Sequence, residues 1–181
     1  MTDSNQVRRL VRVGIVAAFA TLAFIGTLVI RIPIPATGGY FNLGDTFVMA
    51  AALLYGPWVG ALVGAVGPAM ADAVGFPQFI LATAVVKGLE GLLIGLLGPG
   101  STAVPARGRA VLALISGVGV LVAGYYVFEA AIYPALARTI PFFGVTDAAA
   151  ALAEILPNLA QGLISAVIAF GVWNLFRGRS S

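Results

Sequence analysis

The chain has 181 residues, 60% of them hydrophobic and 9% charged, and a mean hydropathy of +1.03. A soluble domain of this size cannot bury so much apolar surface, so composition points to an integral membrane protein. Its net charge of +3 comes from arginines placed where apolar stretches meet polar ones, so no nucleic-acid partner is expected; the absence of Cys and His excludes disulfides, thiol nucleophiles, haem and most zinc chemistry, and no cofactor or metal is expected.

The basic residues set the topology. Arg8/Arg9/Arg12, Arg107/Arg109 and Arg177/Arg179 form three clusters, at the two ends and near the middle. Under the positive-inside rule all three belong on the cytoplasmic side, so the chain crosses the membrane an even number of times between each pair. Val11 to Ile30 is an apolar run of 20 residues, enough for one helical crossing of a core about 30 Å thick. It is longer than a signal-peptide core and lacks a convincing cleavage site, and is read as a retained span. Prolines and glycines between Ile32 and Asp45 predict an irregular outer loop.

Residues 46–74 are apolar with one break at Tyr55-Gly-Pro-Trp58. A single crossing here would turn Arg107 and Arg109 outward, so the charge rule asks for two short crossings or a re-entrant hairpin. Residues 78–97 and 110–135 make the next spans, and a long helix from Ala148 to Phe176 carries Pro157 as an expected kink near its outer end. The expected fold is an all-α integral membrane protein with six transmembrane helices and cytoplasmic N- and C-termini. It forms one transmembrane domain, 1–181, with spans at about 8–31, 44–56, 58–74, 78–97, 109–136 and 148–176. Thr37 and Arg138 then lie outside and Arg107 inside.

An ionisable group at the bilayer centre costs at least about 2.5–3.5 kcal/mol, so polar residues within spans carry information. Thr83, Lys87 and Glu90 share one helix face; Tyr126, Glu129 and Tyr133 share another; Glu154, Asn158 and Gln161 a third. The topology puts Glu129, Tyr133, Glu154 and Asn158 in the outer half, Lys87 near the middle, and Asp45 and Asp72 toward the outer surface. A polar chamber open to the outside brings these faces together. Each residue also has a plainer role. Lys87 and Glu90 can neutralise each other, Asp45 can cap a helix, Asp72 can mark a span end, and Glu129 and Glu154 can reach the interface. The tyrosines can form an interfacial belt, and Asn158 and Gln161 can bond neighbouring helices. On the first span, Gly14 with Ala18 and Ala17 with Thr21 form small-x-x-x-small pairs that permit close helix approach, either to a partner or within the chain.

The Gly38-Gly-Tyr-Phe-Asn-Leu-Gly-Asp45 loop, the Leu53-Leu-Tyr-Gly-Pro57 break and the Lys87-Gly-Leu-Glu-Gly-Leu-Leu-Ile-Gly95 helix, in a short six-span layout, resemble the substrate-binding (S) components of energy-coupling factor (ECF) transporters. The similarity is to the branch for riboflavin, hydroxymethylpyrimidine and pyridoxine uptake, and covers nearly all of residues 8–176. It implies high-affinity binding of a vitamin or precursor from outside, in a pocket built from the first outer loop and the outer halves of spans four to six. That makes Tyr40, Asn42, Thr83, Lys87, Tyr126, Glu129, Tyr133, Glu154 and Asn158 the candidate substrate-binding residues. It also implies a prokaryotic plasma-membrane location and docking, through small residues of the first helix, on a transmembrane coupling protein driven by two ATP-binding-cassette ATPases. The family uses Ala-x-x-x-Ala there; the matching stretch here reads Gly14-x-x-x-Ala18, with Ala17-x-x-x-Thr21 beside it.

No Gly-x-x-x-x-Gly-Lys-Ser/Thr loop is present, so the chain is not expected to hydrolyse ATP or to be an enzyme. The alternatives are an ion-coupled secondary transporter of a small amine-bearing solute, using Glu129 and Glu154, and a membrane-embedded enzyme. The first is weakened by the lack of an inverted repeat, the second by the lack of a nucleophile or metal cluster. The excess of acidic groups in the outer half favours an amine-bearing or donor-rich heterocycle over an anion, and Tyr40 and Phe41 offer stacking faces.

Overall fold

The computed structural model describes residues 4–35, 38–99, 106–144 and 146–177. Thr37 and Arg179 lie outside the described residues.

Helix α1 spans Ser4–Val29. It is followed by a short antiparallel hairpin, β1 (Ile32–Ile34) and β2 (Gly39–Phe41), in the register Ile32↔Phe41, Pro33↔Tyr40, Ile34↔Gly39. The expectation of an irregular loop in an all-α chain is corrected here. Alternating Ile-Pro pairs hold the backbone extended, because proline fixes its own φ and disfavours helix in the residue before it; with two strands only, Pro33 disrupts no central ladder.

Helix α2 (Asp45–Tyr55) and helix α3 (Pro57–Asp72) are separated by Gly56, whose φ of 88° is one that L side chains rarely adopt. A 3₁₀ turn at Pro77–Phe79 leads into α4 (Ile80–Leu97). Helix α5 (Ala106–Val127) widens into a π-helical segment at Phe128–Ile132 and continues as α6, Tyr133–Ala137. Helix α7 runs from Ala148 to Arg177 with Pro157 inside it, and its first turn is capped by Asp147, whose Oδ1 accepts the Ala150 N–H at 2.8 Å.

Among the described residues, four stretches are long and apolar enough to cross a membrane: Ser4–Val29, Pro77–Leu97, Ala106–Ala137 and Ala148–Arg177. At 11 and 16 residues, α2 and α3 would extend about 17 and 24 Å, each short of a bilayer core.

The closest helix packing is between α3 and α4, through glycines. A Cβ on Gly64 would lie 2.0 Å from the Lys87 carbonyl oxygen, and one on Gly91 would lie 2.2 Å from that of Gly60. This contact fixes the height of Lys87 against α3. Three apolar clusters fill the rest. Met49, Ile94, Leu114 and Trp173 pack near the arginine-bearing ends of α5 and α7. Phe79, Val86, Tyr125, Phe128 and Tyr133 pack toward the opposite end, and Val48 and Val63 join α2 and α3 beside Ala23 of α1.

Candidate functional site

A polar cavity lies at the end of the bundle away from Arg8/Arg9/Arg12, Arg107/Arg109 and Arg177. The hairpin contributes Tyr40 and the adjoining Asn42. Asp72 comes from the end of α3, Thr83 and Lys87 from the first half of α4, Tyr125 and Glu129 from the end of α5 and its π segment, and Glu154, Asn158 and Gln161 from the first half of α7. The cavity is small, about 20 Å³, room for about one water molecule.

The floor is a buried network. The Lys87 ammonium donates to Asp45 Oδ1, the one salt bridge found among the described residues, with the two side chains 1% and 0% exposed. Gln161 Nε2 donates to the other Asp45 oxygen at 2.6 Å, while its Oε1 accepts the Asn42 backbone N–H at 2.7 Å and Asn42 Nδ2 at 3.2 Å. Asn42 Oδ1 in turn accepts the Gly44 N–H at 2.9 Å and the Thr27 hydroxyl at 3.4 Å. Charge and hydrogen bonding thus link α2, α4, α7, α1 and the base of the hairpin. The plainer reading of Asp45 as a cap is corrected, since no side chain caps α2. The direct ion pair of Lys87 is with Asp45; Glu90, fully buried, lies within electrostatic reach of Lys87 but has no hydrogen-bond partner on either carboxylate oxygen.

The hairpin is latched over the cavity from above. The Tyr40 hydroxyl bonds Asp72 Oδ1, and the Tyr40 ring lies 4.4 Å from that of Phe76. Arg31 has its guanidinium 4.9 and 5.2 Å from the centroids of these two rings, and donates to the carbonyls of Ala71 and Val74. A cation placed against the last carbonyls of α3 is also favoured by the helix dipole. Burial, and next the charge of Asp72, raise the pKa of the Tyr40 hydroxyl above its ordinary value, so it remains a hydrogen-bond donor at neutral pH.

On the α5 side, the π segment borders the cavity through Glu129. The Tyr133 N–H reaches back to the Phe128 carbonyl, and Pro134 has no N–H to offer the Glu129 carbonyl, which accepts the Thr146 hydroxyl at 3.0 Å instead. Tyr125, four residues before Glu129, shares its helix face and lines the cavity, whereas Tyr126 points away from it. Tyr126 therefore lines an apolar groove with Val122, Ile155 and Leu159 on the outside of the bundle, which corrects its assignment to the polar face. Tyr133 is likewise not a lining residue. It is fully buried among Phe79, Phe128 and Phe143, with its hydroxyl accepting the Ala82 N–H at 3.3 Å.

Of the nine expected substrate-binding residues, Tyr40, Asn42, Thr83, Lys87, Glu129, Glu154 and Asn158 line this cavity. Asn158 Nδ2 donates to Glu154 at 3.3 Å, Thr83 and Tyr125 share a hydroxyl hydrogen bond of 2.8 Å, and Glu129 and Glu154 lie within electrostatic reach of each other. Gln161 and Asp72 join them; sequence spacing marked both as polar positions but not as lining residues. On α1, Gly14, Ala17, Ala18 and Thr21 are all exposed, while Ala20, Ala23 and Thr27 form the inward face. The Thr21 hydroxyl folds back on the Ala17 carbonyl at 2.9 Å, and a Cβ on Gly14 would meet nothing within 4 Å. The small residues do not pack the chain's own core.

Comparison with known proteins agrees with this architecture. The chain is 46% identical over 99 residues to a Pyrococcus woesei protein described as uncharacterized, in the gap 3′ region, covering 55% of this chain and 65% of that one. It is 33% identical over 93 residues to a UPF0397 protein of Streptococcus agalactiae, covering 51% and 50%. The matches thus span half to two thirds of these relatives' length. Among solved structures, the S component of a bacterial ECF transporter superposes with a TM-score of 0.72 at 15% identity, covering 96% of this chain and 99% of the other, which shows a shared fold. The family model for the ECF-type riboflavin transporter S component matches residues 4–175, and the chain belongs to that family of transporter substrate-binding components.

Proposed function

We propose that the chain is the high-affinity substrate-binding membrane subunit of an ATP-driven ECF transporter for a vitamin or vitamin precursor. The observation that carries this reading is the small polar cavity beneath a latched hairpin, at the end opposite Arg8/Arg9/Arg12, Arg107/Arg109 and Arg177. A water-filled channel would need an open path. A site with room for about one water instead suits a ligand that displaces water and is covered.

In this reading residues 1–181 form a single transmembrane unit with six crossings, α2 and α3 being the two short ones. The arginine clusters face the cytoplasm of a prokaryotic plasma membrane and the cavity faces outward. Tyr40, Asn42, Thr83, Lys87, Glu129, Glu154 and Asn158 hold the substrate, together with Tyr125, Gln161 and Asp72. The exposed stripe of Gly14, Ala17, Ala18 and Thr21 docks on a transmembrane coupling protein, and two ATPases bound to that protein supply the energy. Close backbone approach through small residues is how helices associate where lipid removes any hydrophobic drive.

The test is to purify the chain alone and together with a coupling module. The chain alone is expected to retain or bind a small molecule without transporting it, and the complete assembly to transport it with ATP. Concentrative uptake by the chain alone, driven by a proton or sodium gradient, would favour the ion-coupled carrier.

A further inference from the structure

We infer that the ligand is a small nitrogenous cation, an amine or a protonated amino-heterocycle, rather than an uncharged flavin. The inference rests on the binding-subunit reading above and concerns what its cavity selects.

The argument is an inventory of donors and acceptors. Lys87 is the one basic residue lining the cavity among the described residues, and its ammonium is already held by Asp45. Three carboxylates line the same space: Asp72, Glu129 and Glu154. The neutral polar groups are largely matched to one another, Thr83 with Tyr125, Asn42 with Gln161, Asn158 with Glu154. Among the buried lining side chains, Asp72 Oδ2 and both oxygens of Glu129, whose side chain is 0% exposed, meet no donor from a basic or amide group, and Glu129 stands against a second carboxyl group, that of Glu154. All three are carboxylate oxygens.

Buried acceptors of this kind must be met by donors, and an arriving acceptor would face them uncompensated. The pyrimidinedione edge of a flavin presents two carbonyls for each N–H and no charge. An ammonium or a protonated ring with an exocyclic amine presents only donors and a positive charge. The aromatic residues Tyr40, Phe79 and Tyr125 line the same cavity, and aromatic side chains attract cations.

Titration of the full chain in lipid nanodiscs with pyridoxamine, pyridoxine and riboflavin tests this, since the first two differ by one amine for one hydroxyl. The amine is expected to bind about tenfold or more tighter than the alcohol, riboflavin is expected not to compete, and Glu129→Gln is expected to abolish the amine's advantage. Pyridoxine or riboflavin binding as tightly as pyridoxamine, or an advantage unchanged by Glu129→Gln, overturns the cationic class and leaves the binding-subunit reading standing. If none of the three binds, native mass spectrometry of the purified chain decides. A retained nitrogenous cation supports the inference, and a retained neutral or anionic molecule overturns it. A chain that retains nothing, and gives no uptake with a coupling module, overturns both.

Discussion

Lys87 and Asp45, 42 residues apart in sequence, form a buried ion pair between α4 and α2 beneath the cavity. Neither side chain reaches solvent, and Gln161 satisfies the second oxygen of Asp45. Removing one partner of such a pair leaves an uncompensated charge, which costs about 3–5 kcal/mol, whereas replacing both with apolar residues of similar volume is often near neutral. Lys87→Met and Asp45→Leu are therefore each expected to lower thermal stability sharply, and the double variant to recover most of it. Thermal unfolding in detergent with tryptophan fluorescence as readout checks this. Additive losses in the double variant would mean that the two residues act independently.

The contact between α3 and α4 predicts a steep position dependence for glycine substitutions. Gly64→Ala places a methyl 2.0 Å from the Lys87 carbonyl and requires the helices to part, a cost of about 1–3 kcal/mol or more. At Gly14 an added Cβ meets nothing within 4 Å, and Gly14→Leu is expected to leave stability and ligand binding unchanged while blocking uptake through a coupling module. Equal loss of binding and uptake in the Gly14 variant would remove α1 as the docking surface.

The hairpin latch predicts a pH limit. The folded-state pKa of Tyr40 is raised, so its contribution is fully present below the ordinary phenol value of about 10 and is lost as pH climbs through the folded value. Stability is expected to fall in alkaline solution, and Tyr40→Phe is expected to reduce that alkaline loss while speeding hydrogen exchange across residues 38–44. An alkaline profile identical in wild type and Tyr40→Phe would rule out the latch as its cause.

Orientation is testable because the chain has no cysteine of its own. Single cysteines at Thr37 and Arg138 are expected to react with an impermeant maleimide from outside, and one at Arg107 to react only after the membrane is permeabilised. External labelling at position 107 would overturn the six-crossing topology.

The sequence revealed more of this site than its hydropathy alone suggests, and the failures have local physical causes. The spacing of Thr83 and Lys87 placed both on one face of α4, and both line the cavity, because an undistorted helix keeps a regular period. Spacing alone does not separate Tyr125 from Tyr126, which stand four and three residues before Glu129 and are both compatible with its face; the packing of α5 against its neighbours turns Tyr125 inward and leaves Tyr126 on the outer groove. Spacing leaves Asp45 open between a cap and a member of the polar chamber, because its partners, Lys87 and Gln161, are 42 and 116 residues away, and tertiary pairing at such range has no signature in local spacing. The hairpin was missed because its strands are three residues long and hidden by proline.

The central claim is that this chain binds its substrate but relies on partners to move it. The most direct measurement is uptake of the copurified ligand by proteoliposomes holding the chain alone or with a coupling protein and its two ATPases, with ATP inside or absent. The account predicts saturable binding in both preparations, and uptake only with the full assembly and ATP. Uptake by the chain alone, unaffected by ATP and abolished when the ion gradient is collapsed, would contradict it.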